Sequence, residues 1–212
     1  MELTKVGPRQ VFLQPAVLRR FVYLIVLMTL FNLMSHGTQD FVPTFLEEDF
    51  AASTGTVTVV AIIYDVGAII GGAYFGALSE RFGRRRTAAG CAILAIPVAF
   101  LFAFSPTLGL VTLGAFLLQL LVQGGWGVVP AHLAELSPDE VRGFYPGVTY
   151  QLGNAIASFN LPIQAALAAA YSGSVALAAV IVPVLVLTAV VLLLGPEAKG
   201  KVFGARESEP VG

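Results

Sequence analysis

Charge is what this sequence has least of: Asp, Glu, Lys and Arg make up 12% of its 212 residues, against 57% hydrophobic residues. With a mean hydropathy of +0.83, the chain is too apolar for an ordinary soluble domain, and lipid is its expected solvent. The formal net charge is −1, and no clustered basic face is present, which argues against a nucleic-acid partner. A single cysteine, Cys91, excludes an internal disulfide, and its apolar surroundings read as a packing position. No His, Cys or carboxylate pair shows ligand spacing beyond His36 with Asp40, so neither a metal nor a cofactor is expected. A nucleophilic serine of an intramembrane hydrolase is also missing, because Ser172-Gly173-Ser174 lies in a turn with no histidine near it in sequence. Nor is there a short leader with a small-residue cleavage site. Residues 1–20, which carry Lys5, Arg9, Arg19 and Arg20, read instead as a retained cytoplasmic tail.

What is present is a series of long apolar runs. Val175 to Leu194 contains no charge, and roughly 20 residues at 1.5 Å each cross a hydrocarbon core of about 30 Å. Hydropathy breaks predict six spans, Phe21 to Phe45, Thr56 to Leu78, Thr87 to Phe104, Leu108 to Leu133, Phe144 to Tyr171 and Val175 to Leu194. The expected fold is therefore an all-α membrane bundle over residues 21–195, closed by a tail at 196–212. The connecting segments alternate, so that all 12 Lys and Arg fall on one side and Glu47-Glu48-Asp49 on the other. Positive charge is retained in the cytoplasm, which predicts a multi-pass protein of the cell membrane with both termini cytoplasmic. Gly67, Gly71, Gly72 and Gly76 form small-xxx-small steps that let a neighbouring helix approach closely. Pro43, Pro97, Pro130, Pro162 and Pro183 put a proline in five of the six spans, which lipid-embedded helices tolerate.

One stripe carries chemistry. Asn32, Ser35, His36, Gln39 and Asp40 recur at i, i+3, i+4, i+7 and i+8, one face of a helix whose other faces are mostly apolar. An aspartate turned to lipid costs roughly 2.5 to 3.5 kcal/mol on insertion scales, so the stripe is expected to face protein or a water-filled cavity. The plainer reading is a polar seam joining helices, but two ionisable groups exceed what a seam requires. Thr38 points nearly opposite, and its hydroxyl is expected to bond a carbonyl one turn back. Asp65 is a second intramembrane carboxyl, open to proton handling or to a helix–helix hydrogen bond. In the fifth span Gly147, Tyr150, Gln151, Asn154 and Ser158 share a face that either lines the same cavity or bonds a neighbouring helix. His132, beside a loop, is expected to be a solvated histidine rather than a ligand.

The stripe also resembles something known. Asn32-x-x-Ser35-His36-x-Thr38-Gln39-Asp40-x-x-x-Thr44 resembles the seventh-helix motif of the fungal lactate permeases and their bacterial relatives, the sialate:proton symporter family of the major facilitator superfamily. Gly76-x-Leu78-x-Glu80-Arg81-x-Gly83-Arg84-Arg85 is similar to that superfamily's loop between the second and third helices of each half, with Glu80 where aspartate is commoner. Trp126-Gly127-x-x-Pro130-x-His132-Leu133-x-Glu135, Tyr150-Gln151-Leu152-Gly153-Asn154 and Pro196-Glu197-x-Lys199-Gly200 resemble its tenth helix, its eleventh helix and the close of its last.

The resemblance covers about residues 20 to 200 and implies the carboxyl-terminal half of a twelve-helix carrier. In such carriers substrate sits between two six-helix halves. The implied partners are membrane lipid, a small organic anion with a proton, and an amino-terminal six-helix half or a second copy of this chain. The implied function is proton-coupled symport of small organic anions, monocarboxylates such as lactate or pyruvate foremost and sialate next. An inert or regulatory membrane fragment is the remaining alternative. Substrate binding is expected at Asn32, Ser35, His36, Gln39, Tyr150, Gln151 and Asn154, and proton coupling at His36, Asp40 and Asp65. Gly76, Glu80, Arg81, Gly83, Arg84 and Arg85 would form the gating loop. Those arginines are most simply topology determinants, and the resemblance adds a gate contact.

Overall fold

The computed structural model describes residues 14–197 and is helical throughout, apart from its turns. Its helices are α1 (Pro15–Gly37), α2 (Val42–Phe50), α3 (Thr54–Phe82), α4 (Arg84–Phe104), α5 (Leu108–Trp126), α6 (Val129–Leu136), α7 (Tyr145–Ala157), α8 (Asn160–Ala170) and α9 (Gly173–Leu194). A 3-10 turn, Asp139–Val141, joins α6 to α7. Lys5, Arg9, Lys199 and Gly200, and with them most of both predicted tails, lie outside the described residues.

Five stretches among the described residues are long and apolar enough to cross a membrane: Pro15–Phe50, Thr54–Phe82, Arg84–Phe104, Leu108–Leu136 and Gly173–Leu194. The predicted fifth span, Phe144 to Tyr171, differs. It is divided at Ser158 and Phe159 into α7 and α8, of 13 and 11 residues, each too short to cross alone. The first span is likewise interrupted, because α1 stops at Gly37 and α2 begins only at Val42. Proline accounts for part of this. Pro43 and Pro130 stand in the first turns of α2 and α6, where a missing N–H costs nothing but a helix arriving from the preceding residues would clash. Pro97 and Pro183 are carried inside unbroken helices. Three connections at the end that carries Glu47-Glu48-Asp49 are closed by hydroxyl caps: Ser53, Thr107 and Ser172 each accept from the backbone N–H three residues on.

The helices pack chiefly as α3 on α5, α5 on α4, α4 on α9 and α1 on α7, with α1 also against α9. Phe31, Phe45, Phe102, Leu118, Tyr145 and Leu177 lie at the centre, nearly or wholly excluded from the surface. In lipid there is no hydrophobic force between helices, so close backbone approach must do the work, and the glycine steps of α3 supply it. A Cβ added at Gly71 would run into the Leu120 carbonyl oxygen of α5, and one at Gly67 would stand 2.6 Å from that of Phe116. The opposite side of α3 exposes Val59, Ile62, Val66, Ile69 and Ile70, an apolar face suited to lipid.

Candidate functional site

The break after α1 positions the polar stripe. Thr38 to Phe41 form a turn in which the Asp40 amide still donates to the His36 carbonyl at 3.0 Å, so helical spacing survives across residues 36 and 40. The consequence is a side-chain contact: His36 Nδ1 lies 3.0 Å from Asp40 Oδ2. The other ring nitrogen, Nε2, lies 3.1 Å from Oδ1 of Asn154 on α7. The His36 and Asp40 side chains remain 38% and 33% exposed, within reach of a small solute. With both ring nitrogens facing oxygens, an imidazolium satisfies both neighbours, whereas a neutral ring has one N–H to give.

Amides surround this pair. Gln39 donates to Gln119 Oε1 at 2.9 Å, and Gln119 donates in turn to the Thr38 hydroxyl at 2.9 Å. Gln123 donates to the Ser35 hydroxyl at 3.1 Å. Beneath the turn, Gln164 of α8 donates to the Gly37 carbonyl at 2.9 Å and accepts from Asn160, which satisfies backbone that the break of α1 releases. One turn away, Trp126 donates its indole N–H to the Phe31 carbonyl at 3.2 Å, and its ring stands edge-on to Tyr150 with centroids 5.9 Å apart.

Of the residues singled out in the sequence, His36, Asp40, Asn154, Ser35 and Tyr150 are thus drawn to one place. Gln39 swings to α5 because the helix has ended before it. Asn32 is buried and donates to the Met28 carbonyl of its own helix at 2.8 Å. Thr38 bonds back to the Met34 carbonyl at 2.9 Å, as expected. Gln151 and Ser158 are exposed, and the Ser158 hydroxyl is turned to the Ala155 carbonyl. Asp65 is exposed on α3, and both it and Asp40 lie within electrostatic range of Tyr64. Residues that the sequence reading passed over are Gln119, Gln123, Asn160 and Gln164. Their signal was available as two i, i+4 amide pairs inside apolar helices, where polar groups need partners. No group of three metal-ligating side chains occurs among the described residues.

A second polar assembly stands at the opposite, basic end. Arg84 directs Nε and Nη2 at Glu135 Oε1, each at 3.2 Å, and Nη1 at the Ser79 hydroxyl at 2.7 Å. Glu80 is more distant from it, at 3.8 Å, and largely exposed. Arg85 caps the end of α9 by donating to the Gly195 carbonyl at 2.6 Å. Gly83 joins α3 to α4 at φ +100°, a left-handed backbone suited to glycine, with Glu197 closing on it. Arg81 lies over the Phe82 ring. Arg142 holds the 3-10 turn to α6 through the Ala134 and Ser137 carbonyls and Asp139. His132 corrects an expectation. It is 3% exposed rather than solvated, because the residues after Gly127 coil again as α6 and turn the imidazole into the bundle.

A bundle of long apolar helices, with a His–Asp pair at the break of its first span and an arginine-rich assembly at one end, is the build of a polytopic membrane protein. The Major Facilitator Superfamily model matches residues 24–212, and the chain belongs to that family. It is 37% identical over 157 residues, 71% of its own length and 24% of the relative's, to a protein of Saccharomyces cerevisiae named carboxylic acid transporter protein homolog. It is 34% identical over 99 residues, 47% of its length, to a glucose transporter of Staphylococcus epidermidis, of which that covers 22%. It is 37% identical over 78 residues, 37% of its length, to a D-xylose transporter of Levilactobacillus brevis, covering 17% of it. The chain therefore spans at most about a quarter of these three relatives.

Proposed function

We propose that this chain supplies one half of a proton-coupled symporter for small organic anions, with monocarboxylates such as lactate or pyruvate as cargo. The observation that carries the reading is the His36 bridge, 3.0 Å from Asp40 on one side and 3.1 Å from Asn154 on the other. An ionisable pair inside a span is expensive and marks an ion or proton pathway. Protonated, His36 offers a cation to an entering carboxylate while Asp40 holds the second N–H. Once the proton leaves, one ring nitrogen becomes an acceptor and the Asn154 amide must turn to meet it. Proton occupancy is thereby transmitted from α1 to α7, two helices on either side of the site. Ser35, Gln39 and Gln151 offer further hydrogen bonds, and Asp65 is a second carboxylate on the proton's route. The relative named for carboxylic acid transport supports an anion over a sugar.

In this reading the segment Phe144 to Tyr171 crosses as a broken helix, the fifth in chain order, which brings the crossings to six, and the complementary six helices complete the cavity. Both termini are cytoplasmic, and Arg84 with Glu135 closes the cytoplasmic side. Labelling in intact cells tests the orientation. In a Cys91→Ala background, Glu48→Cys should react with an impermeant maleimide and Glu80→Cys should not; the reverse pattern inverts the topology. The functional test is uptake by vesicles under an inward proton gradient, for the chain alone and co-reconstituted with a six-helix amino-terminal half. Labelled lactate should accumulate only in the second case, with internal acidification, and labelled glucose in neither. Accumulation by the chain alone would favour a dimer of this chain, and glucose accumulation would refute the anion reading.

A further inference from the structure

Two neighbouring carbonyls at the break of the first span are each taken by a glutamine from another helix. In a continuous helix the Gly37 and Thr38 carbonyls would accept from the Phe41 and Val42 amides. Here the Val42 amide turns instead to the Gln39 carbonyl at 3.2 Å. Gln164 of α8 donates to the Gly37 carbonyl at 2.9 Å, and Gln119 of α5 donates to that of Thr38 at 3.2 Å. Both glutamines are fully buried, so they stand where water does not compete for those carbonyls. Neither amide is free to turn. Gln119 accepts from Gln39 while it donates to the Thr38 hydroxyl, and Gln164 accepts from Asn160 at 2.9 Å. With its oxygen taken in this way, each amide keeps its NH2 group for the backbone. The turn is thus clamped from two different helices.

What the clamp holds is the His36–Asp40 contact. Thr38 lies at φ −100°, ψ 0° and Phe41 at φ −88°, ψ −10°, well off the helical values of about −63° and −42°. Asp40 stands between these two residues, so the direction of its side chain, and with it the 3.0 Å approach to His36 Nδ1, follows from this backbone. Loss of either amide leaves a buried carbonyl without a donor, a cost that the chain relieves by closing the regular helical bonds from Phe41 and Val42. Residues 38–41 then move, and Asp40 moves with them.

We infer that Gln119 and Gln164 are positioning residues for the proton pair: by holding the first span broken they set the His36–Asp40 contact, although neither bonds to His36 or Asp40. This deepens the proton-coupling reading given above and rests on it. The contact is read in the full chain in lipid nanodiscs, with isotope-labelled histidine and aspartate, as a solid-state magnetic resonance cross-peak between an imidazole nitrogen and a carboxylate carbon. The sequence has two histidines, and loss of the cross-peak in His36→Gln assigns it. Gln119→Leu and Gln164→Leu should each lose the cross-peak. Gln123→Leu, which gives up an interhelical bond to the Ser35 hydroxyl but frees no carbonyl, should keep it. Glutamines that merely support the bundle would lower the unfolding midpoint and leave the cross-peak in place. Where a leucine variant does not fold, Gln119→Asn and Gln164→Asn, each one methylene too short to reach, carry the same test. An intact cross-peak in a folded variant overturns the role of that glutamine, and its loss in Gln123→Leu as well overturns both. In vesicles containing the complete carrier, the variants at 119 and 164 should move fewer protons per anion yet keep exchange of labelled for unlabelled anion. A lost cross-peak with an unchanged ratio of protons to anions leaves the positioning role standing and removes the proton-coupling reading.

Discussion

The two polar assemblies of this bundle treat charge in opposite ways. At the basic end Arg84 is fixed: its guanidinium spends three N–H groups on Glu135 and Ser79, and both charged side chains are almost wholly buried. At mid-bundle the charges of His36 and Asp40 depend on protonation, and both side chains stay a third exposed. A permanent cation with a buried partner holds helices in place, whereas a titratable pair open to solute can gain and lose a proton. The two assemblies also stand on different helices, Ser79, Arg84 and Glu135 on α3, α4 and α6 and the His36 bridge on α1 and α7.

The sharpest way to break the comparison is to remove the permanent charge. Arg84→Ala leaves Glu135 buried without its cation, and such losses cost about 3–5 kcal/mol. Thermal unfolding in detergent should show the largest drop of any variant considered. Arg84→Lys, which keeps the charge but not the planar fork, should recover part of it. An unchanged midpoint for Arg84→Ala would mean that the lock does not hold the bundle.

Helix approach comes next. Gly71→Ala drives a methyl group into the Leu120 carbonyl and should cost about 1–3 kcal/mol by overpacking. Gly90→Ala is its control, since nothing lies within 4 Å of a Cβ there, and alanine should stabilise α4 by up to about 1 kcal/mol. Opposite signs for the two substitutions would confirm that the glycine steps serve packing rather than flexibility. The smallest effect is expected at the amides. Gln123→Leu removes one interhelical hydrogen bond to Ser35, and such bonds average about 0.6 kcal/mol in membrane proteins. A loss several times larger would make the polar seam a principal support and weaken the case that it is kept for transport.

Much of this was legible in the sequence, for identifiable reasons. Hydrophobic length marked the spans because lipid admits few other solutions, and the Gly67 and Gly71 steps announced a close helix contact. The i, i+4 spacing of His36 and Asp40 placed them together even though the helix breaks between them, because the turn keeps the hydrogen bond from the Asp40 amide to the His36 carbonyl. What hydropathy could not show was interruption. Phe144 to Tyr171 carries no charge, and nothing in its hydropathy marks the turn at Ser158 and Phe159 that divides it. The same blindness affected Asn32, whose periodicity matched the stripe but whose amide is spent on its own helix. His132 was read from its neighbours in sequence, and burial is set by neighbours in space.

The central claim is that His36 and Asp40 couple proton entry to anion entry, and Asp40→Asn tests it most directly. In vesicles containing the complete carrier, labelled-anion uptake and internal acidification would be recorded together for the wild type and for this variant. The account predicts that Asp40→Asn loses accumulation driven by a proton gradient yet retains exchange of labelled for unlabelled anion, since exchange requires no net proton movement. An unchanged ratio of protons to anions in the variant would contradict it.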